Sequence, residues 1–95
     1  MATLVKDRKS NIALFTAKHI LANSEVVQQA ADEHRMYLLD ESVARFIFDR
    51  IVNQLALEYL VAKKVPRRRR ITRVVRGEMS LLFSGHYDNE FEDMK

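Results

Sequence analysis

Residues 41–64 read ESVARFIFDRIVNQLALEYLVAKK, a helical pattern that neither Gly nor Pro interrupts. At 100° per residue, seven of its apolar and aromatic side chains share an arc of about 100°, which is the expected core face of an α-helix. These residues are Ala44, Phe48, Ile51, Val52, Leu55, Tyr59 and Ala62. Lys63 and Lys64 fall in the last turn, where cations complement the helix dipole. The stretch therefore predicts a long central helix over about 41–64.

The opposite side of this helix is also apolar, since Phe46, Leu57 and Leu60 cluster around Asn53. A helix that is apolar on two sides usually has a second partner, because soluble monomers rarely expose large apolar patches. We expect a homodimer or a docked protein partner at these four residues. The alternative is that flanking helices of the same subunit cover both sides.

The segments before the central helix contain two shorter helical patterns. Residues 1–9 are charged and lack periodicity, which predicts a mobile arm. Ser10 or Asn11 is suited to cap the first helix, and Asn23 or Ser24 to cap the second. We expect the chain to break after the second pattern, before Glu41 begins the central helix.

The segment from Ile71 to Phe83 fits two structures. As a helix, it gathers its apolar residues on one face; as a hairpin, it joins two short β-prone runs through residues 76–78. Its content of Leu, Met, Glu and Arg favours the helix, although Gly77 inside a helix costs up to about 1 kcal/mol relative to Ala. We therefore predict a helix or a short hairpin over 71–84. The acidic residues 86–95 predict a mobile tail.

Length and composition predict one mainly α domain over residues 1–95. Its folded core, residues 10–85, would hold three to four helices. A content of 47% apolar and 31% charged residues is ordinary for a chain that folds. The absence of cysteine leaves no disulfide or thiolate metal site and favours the cytoplasm or nucleoid, or the nucleus in a eukaryote. No signal peptide or transmembrane window is evident, so no membrane partner is expected.

The basic run of residues 63–76, KKVPRRRRITRVVR, is the strongest functional signal, because eight of its fourteen residues are Lys or Arg and none is acidic. Guanidinium groups bind phosphate in a bidentate manner, so such a run is typical of a polyanion-binding segment. The predicted nucleic-acid-binding residues are Lys63, Lys64, Arg67, Arg68, Arg69, Arg70, Arg73 and Arg76. The alternatives are a solvated loop and a nuclear localisation signal.

The expected binding is dominated by phosphate contacts and weakly sequence-specific. No aromatic residue lies between Arg67 and Leu82 to stack on unpaired bases, which favours duplex DNA and leaves RNA open. Five to eight phosphate contacts would give a slope of about −5 to −7 for the logarithm of affinity against that of salt concentration.

Catalytic signals are absent from the sequence. Neither the common phosphate-binding glycine motifs nor the zinc-protease and nucleophile-elbow motifs occur, and we expect no enzyme activity, no cofactor and no metal. His19 and His34 are predicted on the inner faces of their helices as core residues.

The order of elements is similar to that of the histone fold, with a shorter helix, a break near 36–40, a long central helix and a basic loop leading to Ile71 and Thr72. The resemblance implies dimerisation through the long helix and phosphate contacts from the loops. Residues 73–77, RVVRG, depart from the pattern of the histone third helix, so membership is not assigned.

Two functional hypotheses follow from these residues. The first is a small, regulatory or architectural nucleic-acid-binding protein that acts through its arginine-rich segment. The second is a helical regulator of protein partners, for example an inhibitor or adaptor of transcription machinery or of another enzyme, acting through the apolar side around Phe46, Leu57 and Leu60. Steep salt dependence distinguishes the first from the second.

Overall fold

The computed structural model describes residues 2–93, with only the backbone described for residues 2–10. The described residues form five α-helices and one 3₁₀ turn, and no strand occurs among them. In chain order these are α1 (Ala2–Ala22), α2 (Glu25–Glu33), the 3₁₀ turn (Met36–Leu38), α3 (Glu41–Ala62), α4 (Arg68–Phe83) and α5 (Asp88–Asp93). The predicted mainly α fold with a long central helix is confirmed. The segment that fitted either a helix or a hairpin is the helix α4.

The helices pack around α3. Both α1 and α4 pack on α3, and α2 packs mainly on α4. The molecule measures 40 × 32 × 18 Å, and its short dimension matches two layers of helices that are each about 10 Å thick. The buried core residues are Ala17, Leu21, Val27, Ala30, Ala31, Met36, Ile47, Ile51, Val52, Leu55, Ala56, Ile71, Val74, Val75, Met79 and Tyr87.

The buried face of α3 is wider than the predicted one. Ile47 and Ala56 are fully buried, although they lie outside the predicted arc, whereas Ala62 is exposed. The reason is that α1 and α4 both cover α3, so the buried band extends beyond the predicted arc on both of its sides.

The turn after α4 is a Schellman motif, a helix ending closed by two backbone hydrogen bonds. The His86 N–H donates to the Leu81 carbonyl (3.0 Å), and the Gly85 N–H donates to the Leu82 carbonyl (3.1 Å). Gly85 has a φ of 82°, and a Cβ at this position would lie 2.8 Å from the Asp88 carboxylate. The positive φ favours a glycine here, and the turn directs the chain back towards α3.

Both chain ends contain helical backbone among the described residues. The backbone of residues 2–9 continues α1, because no Gly or Pro interrupts the helix, so the first helix does not begin at Ser10 or Asn11. At the other end, residues 88–93 form α5 and Tyr87 is only 2% exposed. The tail is held because its aromatic side chains find apolar partners. Residues 1, 94 and 95 lie outside the described residues.

None of the helices in the described range 2–93 is long and apolar enough to cross a membrane.

Candidate nucleic-acid interface

All eight predicted basic residues are exposed, and α4 organises most of them. Arg68, Arg69, Arg70, Arg73 and Arg76 lie in α4, and Arg67 is its N-cap residue. The remaining two, Lys63 and Lys64, lie in the connection between α3 and α4. The structure therefore places the basic run partly on a loop and mostly along a helix.

One side of α4 is buried and the other carries arginines. The buried residues are Ile71, Val74, Val75, Glu78 and Met79. At 100° per residue, Arg69, Arg73 and Arg76 fall within about 60° of one another on the opposite side. We call these three residues the arginine face. Together with Arg68 and Thr72 they line an open hollow of about 590 Å³.

Two other arginines flank this face and are neutralised. Arg68 forms an ion pair with Glu33 of α2. The Nε of Arg70 donates to both carboxylate oxygens of Glu58 of α3, each at 3.0 Å. These two pairs link α4 to both of the helices on which it packs, and they leave the arginine face directed outward.

The arginine face has no such partners among the described side chains. Among the side chains of residues 11–93, no carboxylate lies within 4.0 Å of the charged groups of Arg69, Arg73 and Arg76. The same holds for Lys63, Lys64 and Arg67. The first turn of α4 contains no acidic residue either, so the positive end of the helix dipole adds to this concentration of charge.

Gly77 lies beside the arginine face, on the exposed surface of α4. A Cβ added to it would meet no atom within 4 Å, and its φ is not positive, so neither packing nor backbone geometry in this chain requires a glycine. Because Gly in a helix costs up to about 1 kcal/mol relative to Ala, the residue weakens α4 at its most open point.

The residues predicted as a partner surface differ in how far the fold covers them. Phe46 is half-buried and contacts the rings of Tyr87 and Phe91, with both ring centroids 5.2 Å away. Asn53 is half-buried and donates to Asp49 (3.1 Å). Leu60 is half-buried as well, whereas Leu57 is 60% exposed. The C-terminal segment of the same chain therefore covers the Phe46 end of this surface, and the Leu57 end stays open.

Sequence reasoning missed a buried polar cluster beneath α4, centred on the carboxylate of Glu78. This group is 4% exposed and accepts hydrogen bonds from the Tyr87 hydroxyl (2.6 Å), Gln54 Nε2 (2.6 Å) and Arg50 Nε (2.9 Å). Arg50 also lies over the Tyr87 ring, 4.7 Å from its centroid. Glu78 lies two helical turns after the buried Ile71, so this spacing could have identified Glu78 as a buried residue. We call Tyr87 and α5 the C-terminal latch.

The cluster also affects the ionisation of Tyr87. Burial raises the pKa of the Tyr87 hydroxyl above its ordinary value of 10.0, and the hydrogen bond to the Glu78 carboxylate raises it further. The hydroxyl is therefore kept protonated as a donor to Glu78.

The histidines show no metal-binding arrangement. His34 is half-buried, with its Nδ1 2.9 Å from the Ala30 carbonyl, and His19 is exposed rather than a core residue. Across the described side chains, no group of three or more His, Asp or Glu residues is placed to hold a metal ion.

No protein-family model matches this sequence, and no curated protein and no solved structure is significantly similar to it.

Proposed function

We propose that this protein binds nucleic acid, and duplex DNA in preference, through the arginine face of α4. The observation that carries the proposal is the difference between the two sets of arginines in one helix. Arg68 and Arg70 are neutralised by carboxylates of neighbouring helices, whereas Arg69, Arg73 and Arg76 share an open side without a described counter-charge. Clustered like charges repel one another, and a phosphate backbone relieves that repulsion.

The geometry of α4 suits a helical duplex. Its sixteen residues extend about 24 Å, and Arg69 and Arg76 are separated by about 10 Å along the axis. These arginines can therefore reach several phosphates of one strand, with bidentate contacts from each guanidinium. The major groove of B-DNA admits a helix, whereas that of duplex RNA is too deep and narrow to be read by side chains, which favours DNA.

The exposed Gly77 of α4 also supports the arginine face as the binding surface. A residue without a side chain allows another backbone to approach closely, and Gly77 lies beside the arginine face without a packing reason of its own. The positive end of the α4 dipole lies at the same end as Arg67 and Arg69, where a phosphate is favoured.

The number of unpaired cations sets the expected salt dependence. Three residues of the arginine face and up to three nearby cations, Lys63, Lys64 and Arg67, would contact three to six phosphates. The slope for the logarithm of affinity against that of salt concentration should then be about −3 to −5 on duplex DNA. This is shallower than the value that follows from counting every basic residue, because ion pairs already engage Arg68 and Arg70.

The decisive experiment compares two variants of equal charge. Binding to labelled duplex DNA is measured by fluorescence anisotropy at several salt concentrations. The first variant replaces Arg69, Arg73 and Arg76 with Gln, and the matched control replaces Arg35, Arg68 and Arg70 with Gln. We expect the first variant to lose affinity at least about tenfold more than the control and to reduce the salt slope by two to three. Equal losses would show that net charge alone, and not the arginine face, governs binding.

A second candidate function, the regulation of a protein partner, is supported by the open end of α3. Leu57 and Val61 lie one turn apart and are 60% and 86% exposed. Apolar docking there would depend little on salt. If duplex DNA and RNA fail to bind at low salt, and Leu57→Ala disrupts a complex that Arg73→Ala leaves intact, this second function replaces the first.

A further inference from the structure

The structure contains an apolar groove on the side of α3 that α1 covers. It has a volume of about 580 Å³ and lies among α1, α2, the 3₁₀ turn and α3. Its walls are largely apolar, with Phe15, Ala22, Ala31, Met36, Tyr37, Ala44, Phe48 and Val52 among the lining residues. Soluble proteins rarely leave such a surface in water, which indicates a binding partner.

Large apolar side chains protrude at the edges of this groove. Phe15 and Tyr37 line it and are 72% and 67% exposed. Each continues into another exposed apolar residue, Ile12 one turn earlier in α1 and Leu38 next to Tyr37. A hollow bordered by protruding side chains is self-complementary in shape, and an isologous dimer requires this property because one patch serves both subunits.

Residues 11–13 of α1 lack cover from the part of the chain that the structure describes. Ala17 and Leu21 are buried, and helical phase would place Ala13 on the same side, yet Asn11, Ile12 and Ala13 are all exposed. The helical backbone nevertheless continues to Ala2. Ile12 and Phe15 therefore form an exposed apolar turn of α1 that is available to a second surface.

The charges around the groove also suit a second copy. Lys18 and Arg45 lie there with Asp32, Glu41 and Asp49, and two ion pairs, Lys18–Asp49 (3.0 Å) and Arg45–Glu41 (2.9 Å), place both signs within one patch. Each cation is already paired within its own chain, so a two-fold contact would join the ion pairs of the two copies into one network of both signs. A nucleic acid is disfavoured here, because the carboxylates outnumber the cations.

From these observations we infer that the chain forms a symmetric dimer in which Phe15 and the adjoining turn of α1 enter the groove of the partner copy. The overall shape is consistent with this arrangement. The radius of gyration is 14.5 Å, whereas a compact domain of this length would have about 12 to 13 Å, so the monomer is more extended than usual. The inference does not depend on nucleic-acid binding, because α4 contacts Gln54 and Glu58 of α3, which do not line the groove.

The first test measures mass by sedimentation velocity and by light scattering over a wide range of protein concentration. We expect the wild-type protein to be a dimer and Phe15→Glu to be a monomer with an unchanged circular dichroism spectrum. Leu57→Glu is the matched control, because it places the same charge on an exposed residue of α3 that does not line the groove. It should remain dimeric.

The second test identifies the contact directly. A photoreactive benzoylphenylalanine replaces Phe15, and isotopically light and heavy copies are mixed before irradiation. Cross-links between light and heavy chains should join position 15 to peptides from residues 31–52. A wild-type protein that is monomeric at millimolar concentration, or a dimer that Leu57→Glu dissociates and Phe15→Glu does not, would overturn the inference.

Discussion

Glu78 is the buried charged residue of the described core, and its environment bears directly on stability. Its buried carboxylate accepts three hydrogen bonds, and one of them comes from a residue nine positions later in the chain. Hydrogen bonds to charged groups contribute more than neutral ones, and a buried charge left without its partners is costly. The C-terminal latch is therefore held by a buried hydrogen bond as well as by apolar contacts.

Replacement of Tyr87 by Phe should lower the free energy of unfolding by about 1 to 3 kcal/mol, because the Glu78 carboxylate loses a buried donor. Urea denaturation at neutral pH measures this loss. Tyr37→Phe is the matched control, since the Tyr37 side chain is largely exposed and should change stability by less than about 0.5 kcal/mol. A penalty of the same size at both positions would contradict the role of the buried hydrogen bond.

The same substitution should change the pH dependence of stability. The folded state raises the pKa of Tyr87, so it holds the phenolic proton more tightly than the unfolded chain does. Between the unfolded pKa near 10 and the higher folded pKa, the folded state binds more protons, and stability falls as pH rises. The wild-type protein should therefore exceed Tyr87→Phe in free energy of unfolding by the full amount at pH 8, and this difference should shrink above about pH 10. If this difference in free energy stays constant or grows over the same pH range, the ionisation of Tyr87 is not coupled to unfolding.

The two glycines should respond in opposite directions to replacement by Ala. Gly77→Ala should raise stability by up to about 1 kcal/mol, because the site is helical and a Cβ meets no neighbour. Gly85→Ala should lower it by about 1 to 2 kcal/mol, because of the positive φ and the contact with Asp88. Thermal unfolding measures both shifts. If the proposed interface is correct, Gly77→Ala also weakens binding to duplex DNA, a loss that added stability alone would not produce.

At the scale of elements, α4 has two functions that the fold keeps apart. Its inner side joins α2 and α3 through apolar contacts and through Glu78, and its outer side presents arginines. The flanking pairs Arg68–Glu33 and Arg70–Glu58 lie at the boundary between them. Exposed ion pairs contribute only about 0.2 to 1 kcal/mol each, so their main effect is on the orientation of α4 and on which arginines stay unpaired.

Removal of residues 87–95 should destabilise the protein by about 2 to 4 kcal/mol, because it uncovers Phe46 and takes a buried donor from Glu78. Denaturant unfolding measures the loss, and binding of a hydrophobic dye should increase. The control replaces Asp88, Glu90, Glu92 and Asp93 with their amides, which removes the acidic charge and keeps Tyr87 and Phe91. Destabilisation by the control to the same degree would show that charge, and not aromatic packing, holds the latch.

At the scale of the whole molecule, the groove and the arginine face lie on different parts of the surface. The groove involves α1, and the arginine face belongs to α4; the two helices pack mainly on α3 rather than on each other. The proposed dimer would therefore leave both of its arginine faces open to a single duplex. Two linked sites bind more tightly than one when a ligand can reach both.

Combined, the two proposals predict a dependence on duplex length. The monomeric variant Phe15→Glu should bind a short duplex with the affinity of one wild-type subunit and bind a long duplex at least about tenfold more weakly than the wild-type dimer. Anisotropy titrations with duplexes of increasing length measure this ratio, and Leu57→Glu is again the control. Equal affinities at every length would mean that the two arginine faces do not act on one duplex.

The sequence by itself determined the helical class and the central helix, because a period of 3.6 residues in apolar side chains survives in any packing arrangement. It also determined that the charge concentrates in residues 63–76. Which arginines remain unpaired was decided only by tertiary structure, since Glu33 and Glu58 are distant in sequence and reach Arg68 and Arg70 through the packing of α2 and α3 against α4.

Tertiary structure likewise decided what covers the Phe46 side of α3. Phe46 has the same sequence signal whether a partner protein or the chain's own C-terminal segment covers it, and periodicity cannot distinguish the two. The latch covers it because Tyr87 satisfies a buried carboxylate on a helix that packs beside α3, a contact between residues nine or more positions apart. Local patterns therefore determined the helices, and long-range contacts decided which of their faces stayed open.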